Sequence, residues 1–194
     1  MGPSVMKKSH CSLVILAAMM IPWLCGGLLL AADAPSAKLP ALVTSSGQSP
    51  DAFMVKVLCD RNKIKVSYNP LLKAEALKDF KTLMVVMGGS AKGLGEAGID
   101  EKEEVARIKS VINKAKMEKT VIFGMHVGGE ARRGPLSDKF IEAAGPGSNY
   151  LIVTEDGNKD GYFTKLSKEK KIPLFVVKDT VELASLVKRM FGVK

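Results

Sequence analysis

Histidine and cysteine are scarce in this 194-residue sequence, with two of the first (His10 and His126) and three of the second (Cys11, Cys25 and Cys59). A zinc site draws its three or four protein ligands mainly from these residue types, and a disulfide framework needs paired cysteines. Neither can be assembled here. Tryptophan occurs once and aromatics make up 6 % of the chain, too few to interleave with a basic stripe as nucleic-acid binding requires. The lysines are instead spread along helix faces, as in "KEKK" at 168–171, which reads as a solvated surface. No amphipathic anchor is visible, no segment repeats, and no low-complexity tract occurs.

The first residues carry an address. Lys7 and Lys8 precede an apolar run from Leu13 to Ala32 that closes on Ala32, Asp33, Ala34, the layout of an export signal with an A-x-A cleavage site. A run of this length is also long enough for an uncleaved anchor, the one route by which this chain would meet a membrane, but Pro22 and the pair Gly26, Gly27 interrupt it. The bulky Pro22, Trp23 and Leu24 before Cys25 argue against lipidation. Cleavage after Ala34 leaves 160 residues, a single domain over 35–194. Without Lys7, Lys8 and Asp33, the 29 basic and 20 acidic residues of the whole chain reduce to a net charge of +8. The expected location is periplasmic or secreted. Cys59, left alone in "AFMVKVLC", reads as a small hydrophobe.

From Leu39 onward short apolar runs alternate with amphipathic stretches. The runs 41–44, 64–68, 82–87, 120–125, 150–154 and 173–177 read as strands, and 50–61, 70–80, 100–116, 137–144, 160–170 and 180–191 as helices. Such alternation predicts an α/β fold: a three-layer α/β/α domain with a Rossmann-like or flavodoxin-like parallel sheet of about six strands. "IKVSY" (64–68) alternates like a half-exposed strand, whereas the third to fifth strands are continuously apolar. That places the second strand at an edge and favours the order 2-1-3-4-5, with the sixth strand extending the far side. Start signals agree: Ser49 before Pro50, Asp100 with Glu103 three residues on, and Ser137 as cap of the next helix supported by Asp138.

In such sheets ligands bind beyond the carboxyl ends of the strands. Four glycine-rich or polar loops fall there: "SSGQSPD" (45–51), "GGSAKGLGEAGID" (88–100), "HVGGEARRGPLSD" (126–138) and "EDGNKDG" (155–161). The second contains GxGxxG by letters, at Gly93, Gly95 and Gly98, but it starts five residues after its strand, where a dinucleotide fingerprint opens directly off it. A phosphate-gripping P-loop fails on spacing. "GGSAK" nearly reads as the nucleophile elbow GxSxG but has Lys92 where the last glycine belongs, and His126 is the only histidine a triad could use. What remains is a loop whose Ser90, Lys92 and unhindered backbone N–H groups can surround an anion. Arg132 and Arg133, held between Gly129 and Gly134, add guanidinium forks suited to carboxylate or phosphate. Asp156, Asn158 and Asp160, with Gly161 next, reproduce the first half of a calcium loop, although Ser167 stands where its bidentate glutamate belongs. A tight turn in which Asp160 caps a helix explains the same residues.

These four loops also resemble an exported bacterial family known as a domain of unknown function, number 6305. The resemblance spans most of the chain after residue 34 and implies secretion and a compact α/β domain; it implies no activity, so no catalytic residue is carried over. The expectation is an exported domain that holds a small anionic ligand through Ser46, Gln48, Ser90, Lys92, Gly93, Gly95, His126, Gly128, Gly129, Arg132, Arg133, Ser137 and Asp138, with calcium as the only cofactor the sequence raises. Two rivals are an enzyme using His126 as acid or base, and an accessory subunit that binds a membrane or secreted partner protein.

Overall fold

Six strands follow one another with helices between them: β1 (Ala41–Ser46), α1 (Asp51–Arg61), β2 (Val66–Tyr68), β3 (Thr82–Met87), α2 (Ala91–Ala97), α3 (Glu101–Met117), β4 (Val121–His126), α4 (Pro135–Ala144), β5 (Tyr150–Thr154), α5 (Tyr162–Lys170), β6 (Leu174–Val177) and α6 (Thr180–Met190). The computed structural model describes Met1, Gly2 and residues 35–193, so the expected export signal lies outside the described residues. Residues 35–193 belong to one compact unit, and among the described residues no helix is long and apolar enough to cross a membrane.

All strand pairs are parallel and the sheet order is β2-β1-β3-β4-β5-β6. This is the flavodoxin-like order, with the short alternating strand at an edge as its pattern predicts. Because β1, β3 and the centres of β4 and β5 are covered on both faces, their side chains are buried on both. Val43, Met84, Val86, Phe123 and Met125 face α1 and α6, through residues such as Val55, Leu186 and Val187. Leu83, Val85, Ile122, Leu151 and Val153 face α3, α4 and α5, through Ile108, Ile141 and Phe163. Cys59 packs in the first of these cores, where burial, with Asp60 nearby, pushes its thiol up to about 12.

Three local expectations are corrected. The stretch 70–80 forms only a 3-10 turn over Ala74–Leu77. The loop 88–100 contains a helix, α2: the Ser90 hydroxyl accepts from the Gly93 N–H at its start, Leu94 is buried, and Gly98 closes it in the left-handed conformation. Gly134 and Pro135 start α4 two residues before Ser137, so Ser137 is not its cap. The Asp100–Glu103 capping box on α3 forms as predicted.

Candidate functional site

Parallel strands put the loops after β1, β3, β4 and β5 at one end of the sheet. There, over β2, β1 and β3, lies a cleft of about 560 Å³ lined by residues of four segments. Gln48, Ser49 and Pro50 come from the loop after β1, and Tyr68, Pro70 and Leu71 from the end of β2. Ser90, Lys92, Gly93, Glu96 and Ala97 come from the start of α2 and its body, and Arg132 from the loop after β4. The strand order reverses between β1 and β3, which is where a doubly wound sheet opens.

The floor is held by a device that sequence reasoning missed. Glu104, fully buried on α3, accepts from the Gly47 N–H at 2.8 Å and from the Gln48 amide at 3.0 Å. Arg107 closes on the same carboxylate with two hydrogen bonds of 2.7 and 2.8 Å and donates to the carbonyls of Leu72 and Ser45. This bidentate pair ties the ends of β1 and the β2–β3 connection to α3. Gln48 is thereby fixed in the left-handed region at φ 57°, and its backbone bridges to Gly89. At Gly93 any Cβ would overlap the Gln48 carbonyl oxygen, so only glycine lets α2 lie this close to the loop. In sequence, Glu104 and Arg107 look like an exposed i,i+3 pair; their burial depends on loops far away in the chain.

The two neighbouring arginines divide. Arg133, its side chain 14 % exposed, donates to Asp138 at 3.0 Å, to the Gly157 carbonyl at 3.0 Å and to Asp160 at 2.9 Å. It also lies over the rings of Tyr162 and Phe163. It is a structural clamp between the loops after β4 and β5. Arg132, 33 % exposed, faces Asp51 at 3.6 Å through its Nε; among the described residues no hydrogen bond closes on its guanidinium. Lys92 projects into solvent with a single 3.7 Å contact to Glu96.

His126 is sealed. Its Nδ1 lies 3.0 Å from the Met87 carbonyl oxygen and its Nε2 3.2 Å from that of Gly129, while the ring stacks on Phe163. Burial holds the imidazole below its ordinary value of 6.5, against the two carbonyls that favour the charged form. It is fully buried and does not line the cleft, so it is no acid or base for a substrate there.

Residues 38–191 match the model described as Domain of unknown function (DUF6305). The chain belongs to this family. No curated protein matches the sequence. Among solved structures, the psychrotrophic esterase EstA from Pseudoalteromonas sp., solved with monoethylphosphonate as inhibitor, is 12 % identical over 71 % of this chain and 76 % of its own, with a TM-score of 0.32.

The remaining expected site residues of this DUF6305 chain serve its own loops. Ser46, buried, donates to the Phe140 carbonyl; the Ser137 hydroxyl accepts from the Gly89 N–H; Asp138 holds Arg133. Gly95 faces open space on α2. Gly128 and Gly129 give room to Arg132 with Asp51 and to Asp156, respectively. The residues of the calcium reading make bonds within their own turn and to Arg133. Asn158 accepts from the N–H groups of Phe163 and Thr164 at the start of α5, and Asp160 accepts from Arg133 and Tyr162. The Arg133 guanidinium holds the Asp160 carboxyl below its usual range. Among the described residues no group of three His, Cys, Asp or Glu could hold a metal ion. Of the expected set, Gln48, Ser90, Lys92, Gly93 and Arg132 line the cleft.

Proposed function

We propose that this protein is an exported binding domain that holds a small anionic ligand in the cleft over β2, β1 and β3, with Arg132 as the principal anion contact. The observation that carries the reading is the unspent guanidinium of Arg132. A half-exposed arginine in a concave site, with N–H donors to spare, is equipped for a charge-assisted bond to a ligand. Lys92 adds charge at the rim, and the Ser90 hydroxyl adds a polar contact. Export is supported by Lys7, Lys8, the apolar run from Leu13 to Ala32 and the Ala32, Asp33, Ala34 site. Binding is favoured over catalysis because the one histidine after the export segment is sealed.

A thermal-shift screen of the purified protein against organic acids and phosphates tests the reading, since a ligand selective for the native state raises the melting temperature. With the best hit, Arg132→Ala should weaken binding by roughly 1.5 to 3 kcal/mol, more than tenfold, at an unchanged melting temperature. Normal binding by that variant would refute the assignment.

A further inference from the structure

Building on that anion reading, we infer that the cleft takes a monocarboxylate carried on a flat apolar body, with an aromatic ring as the best fit. The charge of the site limits the anion. Arg132 and Lys92 each already face one carboxylate, Asp51 at 3.6 Å and Glu96 at 3.7 Å. Phosphate, which carries between one and two negative charges at neutral pH, would set more negative charge against those two carboxylates than a carboxylate does, and like charges at such range disfavour one another. A carboxylate brings one charge in a planar two-oxygen group, the shape that the free end of a guanidinium fork matches.

The apolar part of the wall limits the rest of the ligand. Tyr68, Pro50, Pro70, Leu71 and Ala97 supply it, and Leu71 is exposed as a large apolar side chain. Acetate or inorganic phosphate would leave this surface wet and the cleft of about 560 Å³ largely unfilled; pockets of this size ordinarily bury most of a larger organic molecule. The wall is also stiff. Phe53 packs edge-on against Tyr68, with ring centroids 5.6 Å apart at 62°, and the two prolines fix their own backbone. An aromatic body can stack on Tyr68 with little ordering cost in the protein.

Calorimetric titration of the purified protein with phenylacetate, phenylacetamide, acetate and inorganic phosphate tests the inference. Phenylacetate should bind at least tenfold more tightly than the other three. Tyr68→Ala should erase its preference over acetate, and Tyr68→Leu, which keeps apolar volume at the edge strand, should erase part of it; melting temperatures identify any variant that fails to fold. Acetate or phosphate binding as tightly as phenylacetate would overturn the apolar body and leave the anion reading standing. Equal binding of phenylacetamide would overturn both. Silence from all four would overturn the ligand class, while the wider screen still judges the anion reading separately.

Discussion

Arg133 donates to two carboxylates and a carbonyl and covers two aromatic rings, so its truncation removes three hydrogen bonds and the ring contacts together. Hydrogen bonds to charged groups contribute roughly 1.5 to 3 kcal/mol each in favourable settings. Asp160 is half-exposed, which screens its share. Arg133→Ala should therefore cost about 2 to 3 kcal/mol in urea unfolding, whereas Arg132→Ala should stay within about half a kcal/mol. Equal costs would show that the pair shares one role. His126 gives a pH signature. Its folded pKa is lowered, so above 6.5 the ring is neutral in both states. As pH falls below 6.5 the unfolded chain takes up a proton that the folded chain resists, and stability declines by up to about 1.4 kcal/mol per pH unit until the folded pKa is reached. Asp160, also lowered, loses its contribution only under more acidic conditions, below its ordinary 3.8. Unfolding from pH 7.5 to 5 should show this slope in the parent and lack it in His126→Gln.

Among the elements, α2 separates two glycines that look equivalent in sequence. Gly93 lies against the Gln48 carbonyl, while a Cβ at Gly95 would meet nothing within 4 Å. Gly95→Ala should raise stability by up to about 1 kcal/mol, from helix propensity alone. Gly93→Ala should lower it by about 2 kcal/mol or more, since backbone must shift to admit the methyl. Both are read from melting curves. The same glycines explain why α2 was not legible: two in seven residues oppose a helix, and only the Ser90 cap, the burial of Leu94 and the Gly98 terminus restore it. The stretch 70–80 fails in the opposite sense. Its residues favour a helix, yet Leu72 and Leu77 reach the core from an irregular path closed by a 3-10 turn. At α5 the acidic loop is a cap, so Asn158→Ala should destabilise by about 1 kcal/mol, with identical melting in calcium and in chelator. A calcium-dependent rise would support the metal reading instead.

For the molecule as a whole, strand order was legible because burial on two faces writes itself into composition. Continuous apolar runs mark β3, β4 and β5 as interior, and alternation in 64–68 marks β2 as an edge. A crevice at this end of the sheet followed from topology. Its lining followed only in part, because adjacent arginines carry no signal of which will meet Asp160 across the chain, and Glu104 carries none of its burial. Protection of backbone amides should follow the same gradient, slowest exchange in β1, β3 and β4 and fastest in β2, as hydrogen exchange would measure.

For the binding proposed above, the bond network beneath the cleft also sets how a ligand arrives. Glu104 and Arg107 join the loop after β1 to α3 and to the Leu72 carbonyl, and the Gln48–Gly89 bridge joins that loop to the end of β3. With walls fastened to one another, no lid has to open before the ligand enters. Stopped-flow association should be a single phase whose rate climbs linearly with ligand concentration and does not saturate, and Glu104→Gln should introduce a plateau by freeing the floor to fluctuate.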